Sequence, residues 1–175
     1  RLWSTGEGTA MRSEARRLEP AFGLQAAVFH PTGKQLATTG ADGIARLWTS
    51  ETGSVLRQYK GHVGPVVSIS FSEDGDRLLT GGTDGTIRIW DTWSGACLQN
   101  IRGHRGPVKS VHFSRDGTRV VSYGLDGGLR VWNSGNGNRL IQLMESPKAC
   151  SGARFEGDDR ILASCPENSI SVWTR

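Results

Sequence analysis

The sequence predicts an all-β protein assembled from repeats of four short strands. Three observations carry this: a recurring tryptophan, a recurring Asp-Gly turn, and no window of 11 or more residues with helical periodicity. Trp3, Trp48, Trp90, Trp132 and Trp173 are separated by 45, 42, 42 and 41 residues. Phe71, Phe113 and Phe155 each follow a Trp by 23 positions, and Asp42, Asp84 and Asp126 each precede one by six. Composition agrees. The chain holds 24 Gly in 175 residues, 6 Trp, and only 2 Tyr and 2 Met. That Gly share is about twice the usual ~7%, as many tight turns require.

The elements follow in order. Arg1-Leu2-Trp3 reads as the third strand of a preceding unit. Phe29 follows Trp3 by 26 positions rather than 23, so residues 4–19 carry a three-residue insertion. Met11 to Leu18, within it, is the only weak helical candidate. Residues 20–60 form the next unit. In the unit at 61–102, Val66 to Phe71 alternates as a strand and Asp74-Gly75 turns the chain. Arg77 to Thr80 is the second strand and Asp84-Gly85 the second turn. Thr86 to Trp90 alternates strictly, Ser94-Gly95 turns, and Cys97 to Ile101 is the fourth strand. The unit at 103–145 repeats this with Val108 to Phe113, Asp116-Gly117, Thr118 to Ser122, Asp126-Gly127, Leu129 to Trp132 and Leu140 to Leu143. Residues 146–175 begin one more unit and reach Ser171-Val172-Trp173, again a third strand.

Gly61-His62, Val66, Phe71, Asp74-Gly75, Thr80, Asp84-Gly85 and Ile87-Arg88-Ile89-Trp90-Asp91 together resemble a WD repeat. Gly103-His104 through Trp132-Asn133 resembles a second. Leu24 to Trp48 and Ser146 to Trp173 are similar to degenerate copies. The resemblance implies a β-propeller of four-stranded antiparallel blades, all in one propeller domain. Here that is an open partial propeller, three full blades flanked by two partial ones. A ring of about seven blades needs roughly 290 residues, so the remainder of the propeller is expected elsewhere. Pro20 and Ser146 stand where the pattern has His, and Glu167-Asn168 where it has Asp-Gly. The flanking blades are therefore expected to be less tightly tied than the central two.

The resemblance also implies two buried hydrogen-bond chains, His62, Thr80, Asp84, Trp90 and His104, Ser122, Asp126, Trp132. The chemistry is consistent: the carboxylate takes one imidazole proton, the hydroxyl meets the other nitrogen, and the indole only donates. His104, Ser122 and Asp126 also spell the parts of a hydrolase triad. A nucleophile needs a free oxygen beside an oxyanion hole, and here the repeat assigns that oxygen to an indole. The same set recurring one unit earlier favours a scaffold, with a hydrolase as the remote alternative.

Other candidates carry less. Gly6-Glu7-Gly8 and Gly135-Asn136-Gly137 precede no helix and lack phosphate-loop spacing, so they read as hairpin turns. His30 precedes Pro31 without a partner at metal spacing, and His112 alternates within a strand, so no metal or cofactor is expected. Arg1, Arg46, Arg88 and Arg130 form a column two residues before each Trp. Sharing a strand face, each is expected to lie along its own Trp. Trp93, outside the repeat, is either a surface contact or packed over the neighbouring outer strand. Cys97, Cys150 and Cys165 have no C-x-x-C spacing and read as reduced thiols.

Net charge is +4 with a pI near 9.3, interspersed rather than blocked. Arg102, His104, Arg105 and Lys109 cluster, but no aromatic interleaves them, so nucleic acid is allowed rather than favoured. No apolar stretch reaches 18 residues and no signal peptide is visible, so an intracellular protein, cytoplasmic or nuclear, is expected without a membrane. These readings converge on a non-catalytic protein–protein interaction scaffold within a larger complex. The alternative is a ribonucleoprotein-associated propeller. By the resemblance, partner contacts fall at Gly23, Gln25 and Ala41; Pro65, Val67 and Thr83; Pro107, Lys109 and Leu125; and Ala149, Ser151 and Pro166. Lys109 is their only charge, which suits an acidic residue beside an apolar anchor.

Overall fold

A computed structural model describes residues 23–145, 150, 152–157, 160–165 and 169–174. The expected strand at Arg1-Leu2-Trp3, the insertion with Met11 to Leu18, the Gly6-Glu7-Gly8 turn and Glu167-Asn168 lie outside these residues. The described chain is all-β, without a helix. Strands β1 (Leu24–Phe29), β2 (Gln35–Gly40), β3 (Ile44–Thr49) and β4 (Val55–Lys60) form the first sheet in that order. Strands β5 (Val66–Phe71), β6 (Arg77–Gly82), β7 (Thr86–Asp91) and β8 (Cys97–Arg102) form the second. Strands β9 (Val108–Phe113), β10 (Arg119–Gly124), β11 (Gly128–Asn133) and β12 (Arg139–Glu145) form the third. Strands β13 (Gly152–Glu156), β14 (Arg160–Cys165) and β15 (Ser169–Thr174) form a three-stranded fourth sheet.

Each sheet is an antiparallel meander, and the sheets stack face to face as blades of an open propeller. One apolar layer joins the first and second sheets through Ala37, Leu47, Tyr59, Ile69, Leu78 and Trp90. A second joins the next pair through Leu79, Ile87, Ile89, Val111, Val120 and Trp132. A third joins the last pair through Val121, Tyr123, Leu129, Ala153 and Ile161. In the first three sheets the second and third strands have both faces covered and so are buried almost throughout. The fourth strands lie outermost; β4 buries only Tyr59 and β8 only Ile101. Fully burying a side chain such as Ile89 stabilises by about 1.5–3 kcal/mol, so these layers supply most of the driving force.

The first strands are stitched to one another. Val111 N–H donates to Ser68 Oγ over 3.0 Å, tying β9 to β5. Ser110 Oγ accepts from Ala153 N–H at 2.8 Å and donates to Ala153 O at 3.0 Å, tying β9 to β13. Strand β6 continues to Gly82, two residues beyond its predicted end, and β10 continues to Gly124. Gly81, Gly82 and Gly124 have no side chain, so alternation could not reveal those ends.

Because consecutive hairpins turn at opposite sheet edges, two functional edges result. The Asp42, Asp84 and Asp126 turns share one edge with the loops entering β5 and β9. Gly85 holds φ +76°, and a Cβ there would come within 3.0 Å of His104 O, so the turn needs glycine both for conformation and for contact. The other edge carries the β7–β8 turn with Trp93.

Candidate interaction face and the buried polar networks

Two polar networks organise the first edge. In the second sheet, Trp90 Nε1 donates to Thr80 Oγ1 at 2.9 Å. Thr80 Oγ1 lies 2.8 Å from His62 Nε2, and His62 Nδ1 lies 3.1 Å from Asp84 Oδ1. The third sheet repeats this. Trp132 Nε1 to Ser122 Oγ is 2.7 Å, Ser122 Oγ to His104 Nε2 is 2.7 Å, and His104 Nδ1 to Asp126 Oδ1 is 2.9 Å.

Burial, the largest influence, pushes both histidines below their ordinary pKa, so the imidazoles are neutral. A neutral ring facing a carboxylate places its one proton on Nδ1. Nε2 then accepts the hydroxyl proton, and the hydroxyl oxygen receives the indole N–H. Burial works to raise the two carboxyls, but hydrogen bonds to them win. Val63 and Thr86 N–H hold Asp84 below its usual range, and Arg105 N–H, His104 and Gly128 N–H hold Asp126 further below.

The same donors fix the entering loops. Val63 N–H binds Asp84 Oδ2 at 2.9 Å, and Arg105 N–H binds Asp126 Oδ2 at 2.9 Å. The loop therefore connects to the turn of its own sheet, while Gly85 presses against the next loop.

The arginine column departs from expectation. Arg88 lies along Trp90, its Cζ 5.8 Å from the ring centroid. Arg46 and Arg130 instead pair with the turn carboxylates, Arg46 to Asp42 at 2.6 Å and Arg130 to Asp126 at 2.9 Å. A buried guanidinium lacks water, so a carboxylate four residues away outcompetes a ring face. Arg1 lies outside the described residues. The D-x-x-x-R spacing in the sequence allows such a pair, but Asp84 and Arg88 share that spacing without pairing.

The Ser122 hydroxyl is fully buried and already engaged by an indole and an imidazole, so it offers no nucleophile. His30 is structural: buried, 3.2 Å from Gly75 O, its ring 5.0 Å from Phe71. The thiol expectation fails at Cys150, which is disulfide-bonded. A C-x-x-C test sees only cysteines three positions apart, so it could not anticipate this bond. Cys97 is a free, exposed thiol.

The other sequence-predicted contact positions distribute as follows. Gln25 is exposed on β1, Val67 and Thr83 are half-buried in the second sheet, and Lys109 is exposed on β9. Leu125 is 54% exposed, and its N–H donates to Pro107 O at 2.8 Å. Thr83 N–H donates likewise to Pro65 O at 2.9 Å. These residues share the loop edge. Trp93 does not: it is half-exposed on the opposite edge, where Nε1 donates to Asp76 at 3.1 Å. Its ring sits 5.4 Å from His30 in the first hairpin of the preceding sheet. Ala149, Ser151 and Pro166 lie outside the described residues. Sequence reasoning missed Val63, which is 80% exposed on the loop edge.

The model of the WD domain, G-beta repeat, matches residues 21–49, 53–91 and 95–133, well over half the chain. The chain belongs to the WD-repeat family. Each of the last two matched repeats opens with the outer strand of one sheet and closes with three strands of the next, so a WD repeat spans a blade boundary. Pre-mRNA-processing factor 19 of Oryza sativa subsp. japonica is 40% identical over 52 residues, covering 30% of this chain and 10% of the relative. The chain thus spans about a tenth of that relative's length. The computationally designed Ika4 protein is 24% identical with a TM-score of 0.79, over 91% of this chain and 98% of that one. That likeness shows the fold. WD repeats in general serve as protein-interaction scaffolds.

Proposed function

We propose that this chain is a non-catalytic docking segment whose loop edge receives a partner protein or peptide within a larger assembly. The observation that carries the reading is the loop edge itself. It presents Val63 and Leu125, large apolar side chains left 80% and 54% exposed, beside the exposed cations Arg105 and Lys109. A partner segment with an acidic residue next to an apolar anchor complements that surface. The test is a pull-down with Lys109→Glu and Leu125→Asp. Both changes are expected to weaken partner capture with the melting temperature nearly unchanged. Capture that survives both but is lost on Trp93→Ala moves the working surface to the opposite edge.

The outward face of the fourth sheet supports a second contact. Arg154, Leu162 and Val172 stand in register across β13, β14 and β15, and Val172 is 54% exposed. We take this face to be covered by a further blade of the same propeller. The likeness to a pre-mRNA-processing factor supports a ribonucleoprotein setting as the second reading. A steep salt dependence of RNA binding would favour it, and a flat one would remove it.

A further inference from the structure

We propose that Arg88, Arg102 and Asn100 form an anion-binding notch on the second sheet that takes a phosphate-class oxyanion. The arginine column is not uniform. Arg46 and Arg130 are neutralised by the carboxylate four residues earlier. Arg88 is not, because Thr86 stands in the way. Thr86 Oγ1 donates to Asp84 Oδ1 at 2.8 Å and lies 3.1 Å from His62 Nδ1. Asp84 therefore already takes the Val63 and Thr86 N–H groups, the Thr86 hydroxyl and the His62 proton. In the third sheet the same position is Gly128, and a Cβ there would fall into the Arg130 guanidinium. Glycine leaves space for the arginine; threonine fills that space and satisfies the carboxylate.

The displaced Arg88 rests on Trp90 with its Nε buried and without a hydrogen-bond partner. Its Nη1 lies against Gly61, in the space where a side chain would project. Register supplies the rest of the notch. Arg88 pairs with Asn100, and Thr86 with Arg102, so all four side chains share one face. Arg88 and Arg102 are diagonal cross-strand neighbours, roughly 7–8 Å apart along the backbone. Neither has an ion-pair partner among the described residues. The position equivalent to Arg102 is Lys60 in the first sheet and Glu145 in the third. Among the described sheets, only the second thus combines an unneutralised column arginine with a second guanidinium. The register brings donors from two strands, β7 and β8, to one face. That suits a tetrahedral acceptor with several oxygens better than a planar carboxylate.

The notch does not depend on the docking reading above, since it uses none of those contact positions. Its test uses the protein with inorganic phosphate as the probe at constant ionic strength, read by the phosphorus NMR line width. Saturable broadening is expected. Arg88→Gln and Arg102→Gln should each weaken binding about tenfold or more, as loss of a charged hydrogen bond implies. Thr86→Gly is the decisive variant. It keeps both arginines but opens the route to Asp84, so it too should abolish the broadening. Arg102 is exposed, so its variant folds even if Thr86→Gly does not. Broadening that persists in Arg102→Gln, or in a folded Thr86→Gly, overturns the proposal. So does acetate competing as well as phosphate. A phosphoserine peptide binding more tightly than inorganic phosphate assigns the anion to a polypeptide, and equal binding assigns it to free phosphate.

Discussion

The second and third sheets carry the same imidazole, hydroxyl, carboxylate and indole at matching distances, yet they treat the carboxylate differently. In the third, Asp126 holds the buried Arg130. In the second, Asp84 holds Thr86 and leaves Arg88 on its tryptophan. The first sheet adds a third case. Ile44 has a Cβ but no hydroxyl, and Arg46 still reaches Asp42 at 2.6 Å. Bulk alone therefore does not expel the arginine. Expulsion takes a hydroxyl that satisfies the carboxylate together with a histidine that fills the remaining space.

The strongest way to break this comparison is to remove the carboxylates. Asp126→Ala strands both a buried imidazole proton and a buried guanidinium, and should cost about 3–5 kcal/mol. Asp84→Ala strands neutral donors only and should cost about 1–3 kcal/mol. Urea melts of the two variants check the order; equal losses would mean that Arg130 gains little from its partner. Within the third sheet, His104→Ala and Asp126→Asn open the same network, so the double variant should cost less than the sum.

A smaller effect comes from exchanging the deciding residue. Gly128→Thr should turn the third sheet into a copy of the second, pushing Arg130 outward at a cost of about 1–3 kcal/mol from overpacking. In Asp126→Ala the ion pair is already gone, so adding Gly128→Thr there should cost visibly less. Chemical denaturation of the four proteins in that cycle measures the coupling.

How much of this was legible in the sequence depended on what the repeat repeats. The tryptophans, Phe71, Phe113 and the Asp-Gly turns recur because each blade needs them, and they fixed the strands and their order. Thr86 and Gly128 occupy one position with different residues, so the repeat offered no reading of it. The partner of an arginine is a competition between near neighbours, which spacing proposes and only packing decides. Arg77 shows the same limit across a blade boundary. It binds Gly117 O at 2.9 Å and stacks on Phe113, while Arg119 stacks on Phe155. At the first boundary Gln35 holds that position, and His30 meets Phe71 instead. Sequence placed His30 in a turn beside Pro31, with no hint that it would cross to the next sheet.

Acidification gives the smallest and sharpest discrimination between the two networks. Both histidines are held below their ordinary value of 6.5 chiefly by burial. A folded pKa below the unfolded one means that the unfolded chain binds the proton first. The stabilising neutral form is thus fully present above pH ~6.5, and stability falls as pH drops from there toward the folded pKa. A second loss follows below the ordinary carboxyl value of 3.8, because Asp84 and Asp126 also titrate low in the folded state. The networks separate on the upper step. In the third sheet the Arg130 charge, packed against His104, adds to burial in disfavouring the imidazolium. In the second, the more distant Arg88 is the weakest of the influences on His62. His104 should therefore resist protonation to a lower pH than His62. Arg130→Met should bring its titration up toward that of His62. Side-chain NMR of the two imidazoles through an acid titration measures both midpoints. Midpoints that do not move in Arg130→Met would show that burial alone sets them, and that the guanidinium neither helps nor hinders the neutral ring.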